Sequence, residues 1–189
     1  MGDKTADKNW DNEVPLEKKL DDLYKLIDGI EVAMFTTLRA DGQMVSRPMQ
    51  VQERTRGTDM WFVTNVEAHK LEELARDPRV NLAFYHTRTR EWVSVAGTAV
   101  LSQDRTLIHE LYKPDWRAWF GDEGGERDGG PDDPRLALVL VEATSVVYSK
   151  QDRPTPLVLF EVAKAAITGN PPKVSDMRSL NQSEIDRAR

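Results

Sequence analysis

Apolar positions along the chain recur at two spacings, one helical and one strand-like. In PLEKKLDDLYKLIDGI (15–30), Leu16, Leu20, Leu23, Leu26 and Ile27 fall on one helical face, with Pro15 suited to the first turn and Gly29 expected to stop it. Alternating runs follow in EVAMFTTL (31–38) and QMVSRPMQVQ (43–52), and Asp41-Gly42 between them supplies the positive φ of a hairpin turn. A second turn near Arg56-Gly57 leads to a strand over Met60–Thr64. Leu71, Leu74 and Ala75 predict a helix from Glu67 or Ala68 to Asp77, ahead of a strand over Val80–Tyr85. EWVSVAGTAVLSQ (91–103) reads as a long strand in which Gly97 permits a bend or bulge, and RLALVLVEATSVVYS (135–149) as another. SQDRTLIHELYK predicts a helix capped by Ser102, and LVLFEVAKAAITGNPPK a last helix stopped by Gly169 and Pro171.

Six antiparallel strands, one helix between the third and fourth, and helices at both ends predict a mainly β fold with flanking helices, a small closed or split β-barrel. The expected organisation is a polar tail (1–14), the barrel domain (15–150), and a C-terminal helix with a polar tail (151–189). GDEGGERDGGPDDP (121–134) is nearly all Gly, Pro and charge, which predicts a mobile surface loop without packed structure. With 189 residues and 39% hydrophobic content the chain suits one domain with a sizeable core. Net charge of −6 argues against binding a phosphate backbone, so no nucleic-acid partner is expected and any cationic site must be local. The absence of cysteine removes disulfides, thiolate metal sites and cysteine nucleophiles. A polar N-terminus and the lack of a long apolar run predict a cytoplasmic protein without membrane contact.

Two places look short of an anion. His69 and Lys70 fall in the first turn of the central helix, beside unpaired backbone N–H groups and the positive end of the helix dipole, where a bound phosphate is favoured. The other reading keeps Lys70 solvated and pairs His69 with Glu67 or Glu73. In the second strand Val45, Arg47, Met49 and Val51 share the apolar face, so the Arg47 guanidinium must meet a ligand, pair with a carboxylate or snorkel to water from an edge. Pro48 beside it cannot donate to a ladder, which suits an edge. His69, His86 and His109 stand apart without metal-ligand spacing, no serine has a nucleophile-elbow context, and no catalytic residue is assigned.

Taken in order, these segments resemble the pyridoxamine 5′-phosphate oxidase-like family of FMN-binding split barrels, most closely its general stress protein subgroup. Residues 15–150 carry the resemblance through the opening helix, MFTTLRADGQMVSRPMQV, MWFVTNVEAHKLEEL, VNLAFYHTRTREWVSVAGTAVL, LYKPDWRAWF and DDPRLALVLVEATSVVYS, and LFEVAKAAITGNPP extends it. The resemblance implies a six-stranded split barrel and a homodimer with FMN in the clefts between subunits. It places Arg47, Pro48 and Met49 along the flavin, Val63, Thr64 and Asn65 at its ring, and His69 and Lys70 at its phosphate. Trp116, Trp119 and Phe120 match the aromatic segment that approaches the ring, although Trp116 and Trp119 by spacing alone also fit a core-facing stripe. Trp92 and Ser94 are weaker candidates for contacts from the second subunit. The segment AHK stands where the oxidase has serine, arginine and lysine, and KVSDMRSLNQSEIDRAR lacks the basic and aromatic residues that grip the oxidase substrate, so pyridoxamine phosphate is not the expected substrate. Two functions remain: an FMN-dependent oxidoreductase acting on a small molecule or reductant, with a stress-related role, or a non-catalytic flavin-binding stress or redox-sensing protein.

Overall fold

A computed structural model of the chain describes residues 8–54, 59–151 and 155–189. The elements run α1 (Leu16–Ile30), β1 (Val32–Leu38), β2 (Met44–Gln50), β3 (Met60–Asn65), α2 (Lys70–Arg76), β4 (Arg79–Tyr85) and β5 (Trp92–Ser102). Then come α3 (Arg105–Leu111), a 3-10 turn (Pro114–Trp116) running into α4 (Arg117–Phe120), β6 (Leu136–Lys150), α5 (Thr155–Thr168), β7 (Asp176–Leu180) and α6 (Gln182–Asp186).

All strand pairs are antiparallel, in the order β2-β1-β4-β5-β6-β3, with β7 on the far half of β6. The first six strands curl into the split barrel. β6 makes this possible by its length. Its first residues pair with β3 from Leu136↔Asn65 to Val141↔Met60, and its last with β7 from Val146↔Leu180 to Lys150↔Asp176. β5 pairs with it from Ser102↔Leu138 to Trp92↔Ser149, with a bulge at Ala96/Gly97. A Cβ on Gly97 would stand 2.3 Å from the Glu142 carbonyl oxygen, so the strands can approach there only at glycine. Between β2 and β3 the curl is completed by Gln52 N–H donating to Trp61 O (3.0 Å) and the Trp61 indole N–H donating to Glu53 O (2.6 Å).

Inward residues of each strand form one core. Phe35, Phe62, Leu82, Phe84, Val95, Val139 and Val141 are buried, and α1 lays Leu23, Leu26 and Ile27 against them. Phe35 and Phe62 meet edge to face at 5.3 Å. A smaller core of Trp61, Ile108, Trp116, Leu136 and Leu138 lies under α3 and the aromatic turn.

The structure departs from sequence expectation at several ends. Helix α1 passes Gly29 and stops at Ile30, because Glu31 takes the left-handed conformation (φ 64°) while its N–H closes on Ile27 O. Asp104 rather than Ser102 caps α3, accepting from Thr106 N (2.9 Å) and Leu107 N (3.3 Å), since Ser102 is still paired in β5. The C-terminal stretch is no tail: β7 adds to the sheet, and α6 begins with a reciprocal cap between Asn181 and Glu184. Of the expected N-terminal tail, Trp10 bridges to Met177 and Asp11 N–H donates to Met177 O (2.9 Å). The expected turn at Arg56-Gly57 lies outside the described residues. Among the described residues no helix is long and apolar enough to cross a membrane.

What fastens this end of the molecule is a buried ion cluster. Asp22 on α1 accepts from Arg178 of β7 and Lys150 of β6, and Lys18 lies 3.2 Å from it. Arg178 also reaches Asp11 at 2.9 Å, and buried Lys19 pairs with Glu184 at 2.8 Å. Burial would raise the Asp22 pKa, yet its hydrogen bonds to Lys150, Lys18 and Arg178 outweigh burial and hold it at about 2. A depressed carboxylate contributes stability above its ordinary value and loses it as pH falls through the depressed one. Thermal stability is therefore expected to decline between about pH 4 and pH 2, with Asp22 accounting for about 2 kcal/mol of the loss. Asp22→Asn should flatten that decline while lowering stability at neutral pH, and an unchanged acid limb in melting curves would remove Asp22 from the account.

Candidate functional site

The ends of β2 and β3 diverge beyond the core and leave a cleft of about 450 Å³. One wall is Pro48, Met49 and Gln50 of β2, with Gln52 and Val32 beside them. The opposite wall is Val63, Thr64 and Asn65 of β3, followed by Ala68 and Lys70 where the chain turns into α2. Asp115, Trp116, Trp119 and Phe120 form the third side. The structure thus gathers Pro48, Met49, Val63, Thr64, Asn65, Lys70, Trp116, Trp119 and Phe120 around one space, and leaves Arg47 and His69 off its lining.

The turn into α2 is set by Asn65. Its Oδ1 accepts from Glu67 N (2.8 Å) and its carbonyl from Ala68 N (3.1 Å), a side-chain-closed turn that delivers Lys70 to the cleft. The helix begins at Lys70, later than the periodicity predicts, with exposed His69 at the cap position and no side-chain capping bond. Neither proposed carboxylate partner of His69 is at hand: Glu67 pairs with Arg127 (2.9 Å) and Glu73 with Arg47 (2.9 Å).

Arg47 meets a carboxylate of its own chain. Its guanidinium donates to Glu73 (2.9 Å) and Thr37 Oγ1 (2.8 Å), and Thr37 donates to the same Glu73 oxygen. The expected alternation of β2 holds, with Val45, Arg47 and Met49 half-buried and their neighbours exposed. Burial would raise the Glu73 pKa, but the Thr37 hydrogen bond and Arg47 bring it below the ordinary value. Lys70 is left differently. Its pKa is lowered, first by burial and then by the charge of Arg47, with Glu73 opposing, and it has no ion pair among the described residues. An anion in the cleft would relieve both effects.

The aromatic side divides. Trp116 is core, 3% exposed and edge-on to Trp61 (6.0 Å) and Tyr112 (5.5 Å), as the stripe reading allows. It nevertheless borders the cleft, and its indole N–H has no acceptor among the described residues. Trp119 stands 83% exposed at the rim. Trp92 and Ser94 lie away from the cleft on β5, where Ser94 accepts from Asn81 (3.1 Å). His86 bonds locally to Thr89, and His109 pairs with Asp132 at 2.7 Å.

Residues 121–134, expected to be unpacked, are folded around a buried cation. Arg135 is 1% exposed; it donates to Asp133 and Glu123 (2.7 Å each) and to the carbonyls of Phe120 (2.8 Å), Gly121 (2.9 Å) and Arg127 (3.0 Å). Buried Asp133 also accepts from Gly129 N (2.8 Å) and Arg135 N (2.8 Å), while Arg117 pairs with Asp128. The Arg135 hydrogen bond, against the opposing effect of burial, holds the Asp133 carboxyl at about 2. The loop thereby fixes Phe120 and the rim of the cleft. Sequence reasoning missed Val32, Gln50, Gln52, Ala68 and Asp115 as lining; Gln50, Ala68 and Asp115 adjoin recognised positions, and none of the five carries a signal of its own.

A family model described as pyridoxamine 5′-phosphate oxidase like matches residues 18–173. The protein bli-3 of Neurospora crassa is 36% identical over 191 residues, covering 97% of this chain and 91% of its own. Among solved structures, one assigned as general stress protein 26 from Jannaschia sp. CCS1 superposes with TM-score 0.66 at 22% identity, covering 87% of this chain and 99% of its own. The general stress FMN/FAD binding protein of Xanthomonas citri has TM-score 0.53 at 27% identity, covering 67% and 84%.

Replacing the cation under the rim tests its role. Arg135→Met leaves Asp133 buried without its guanidinium, and a stability loss of about 3–5 kcal/mol is expected in denaturant unfolding. Tryptic cleavage at Arg127 under native conditions should accelerate together with it; a variant equally stable and equally resistant would show that the loop holds its shape by other means.

Proposed function

The chain belongs to the pyridoxamine 5′-phosphate oxidase-like family, and from that premise we propose that the cleft between β2 and β3 binds FMN in a homodimer, as part of a flavin-dependent oxidoreductase. Lys70 carries the reading: a half-buried cation without an ion pair among the described residues, at the turn where a phosphate would lie, is short of an anion. The remaining lining fits an aromatic anion. Met49 and Val63 offer apolar walls, Trp116 a buried N–H in need of an acceptor, and Asn65 and Gln50 polar groups for a ring edge. His69 precedes Lys70 at the cap of α2, off the cleft lining, while Arg47, held by Glu73 and Thr37, acts through that pair on the charge around Lys70. FMN, once bound, supplies reversible hydride chemistry; the chain's own residues bind it, orient it and limit water. The relative from Xanthomonas citri described as FMN/FAD binding supports the same cofactor class.

The exposed Trp119 at the rim favours access by a second small molecule, and with it the oxidoreductase reading over storage or sensing. Pyridoxamine phosphate is not the proposed substrate. Arg178 and Arg189, basic residues of the C-terminal stretch, are occupied by Asp22, Asp11 and Asp59, and neither lines the cleft. A cytoplasmic, stress-related setting fits the cysteine-free composition and the general stress relatives.

The purified protein is expected to absorb at about 370 and 450 nm and to release FMN on heating; a colourless protein that also fails to bind added FMN refutes the assignment. Lys70→Glu should remain folded and bind FMN about 100-fold more weakly, with riboflavin, which lacks the phosphate, affected far less. Equal effects on both ligands would move the phosphate elsewhere. Trp116→Phe should weaken both flavins about tenfold by removing a donor from a buried position, as read by titration of flavin fluorescence. Bleaching of the flavin band by a reduced nicotinamide, and its return with a small oxidant, separates the oxidoreductase from a non-catalytic binder.

A further inference from the structure

Helix α5 is apolar over most of its circumference, yet nothing among the described residues buries it. Leu157, Leu159, Phe160, Val162 and Ile167 are all exposed, at 47–87%. A helix of this kind normally lies inside a protein or a membrane. At 14 residues it is about 21 Å long, short of the ~30 Å of a bilayer core. Lys164 is the one cation on it, against the cation-rich polar face of a surface-lying anchor. Its two ends are fastened to the same corner of the barrel. Gln151 N–H donates to Glu91 (3.0 Å) before it, and after it Lys8 and Asn9 hold the carbonyls of Pro171 (2.6 Å) and Pro172 (3.2 Å). It is an arm anchored at both ends.

A second uncovered apolar surface lies on the outside of the sheet. Met34 pairs with Pro48 on one side and Ala83 on the other, and Tyr85 stands opposite Trp92. Val32, Met34 and Tyr85 are 44%, 42% and 56% exposed, and the positions level with them on the neighbouring strands, Gln50, Pro48, Ala83, Ser94 and Trp92, carry no charge. Val32 and Pro48 belong both to this face and to the cleft. With roughly 200 Å² for a fully exposed large side chain, the side of the arm that carries Leu157, Phe160 and Ile167 and the face together offer on the order of 700 Å² per copy. Two reciprocal contacts then reach the roughly 1,200–2,000 Å² of a stable interface.

We propose that α5 is an exchanged arm: in the homodimer, its apolar surface from one copy packs on the outer sheet face around Met34 and Tyr85 of the other, beside the cleft. This rests on the two-copy reading above and specifies it. A two-fold arrangement covers both surfaces of both copies at once, whereas a heterologous contact would leave one of each open. It also explains why a helix so poor in charge stands clear of its own core.

The chain has no cysteine, so single cysteines report cleanly. Full-length copies carrying Phe160→Cys, co-expressed with differently tagged full-length copies carrying Met34→Cys, should be joined by a short bismaleimide. Phe160→Glu should weaken dimerisation at least about 100-fold in sedimentation, with its circular dichroism unchanged. A wild-type dimer that gives no such cross-link and is insensitive to Phe160→Glu overturns the arm and leaves the homodimer standing. A wild-type monomer overturns both. Linkage within one chain of the Met34→Cys/Phe160→Cys double variant at high dilution, or binding of the wild type to phosphatidylcholine vesicles in place of dimerisation, also overturns the exchange.

Discussion

The guanidinium of Arg135 holds together the part of the molecule that shapes the cleft. A charge so deeply buried costs several kcal/mol unless its N–H groups are satisfied, and here they are, by Asp133, Glu123 and the carbonyls of Phe120, Gly121 and Arg127. Those partners belong to a loop too polar to hold a shape by apolar burial. The cation therefore does what a hydrophobic core cannot do there. Its own backbone carbonyl accepts from Val66 N (2.8 Å), immediately after β3 and within the turn that delivers Lys70. The β3 wall and the aromatic side of the cleft thus trace to one residue immediately before β6.

At the opposite end the same principle recurs with a different result. Asp22 and Arg178 join α1, β6 and β7 to the N-terminal segment through charge rather than apolar contact. Breaking such a pair costs far more than the pair contributes over a hydrophobic substitute, so these clusters specify which segments meet more than they add to net stability. Between them lies an ordinary aliphatic and aromatic barrel interior.

This division explains what could be read in the chain. The barrel strands were legible because alternation of apolar and polar residues is what a half-buried strand requires, and β1, β2 and β4 alternate in burial as their residues alternate. β7 was not, because in Asp176-Met177-Arg178-Ser179-Leu180 the buried positions include an aspartate and an arginine, which hydropathy scores as exterior. The loop before β6 failed for the same reason. Arg47 was recognised as needing an anion, but nothing in spacing alone shows that Glu73, 26 residues on and one turn past Lys70, supplies it. Once that pair forms, Lys70 remains without one among the described residues, a distinction that only three-dimensional placement makes.

The barrel is not paired all the way round. β2 and β3 are its two edges, and past them the chain is joined by Gln52 and by the Trp61 indole rather than by a ladder. β6, by contrast, is flanked on both sides, so disrupting it means losing several registers at once. Free energies of local opening are consequently uneven, lowest along the edge where the cleft lies. A molecule held there, as proposed above, would be released by opening of that seam alone, without unfolding of the fold.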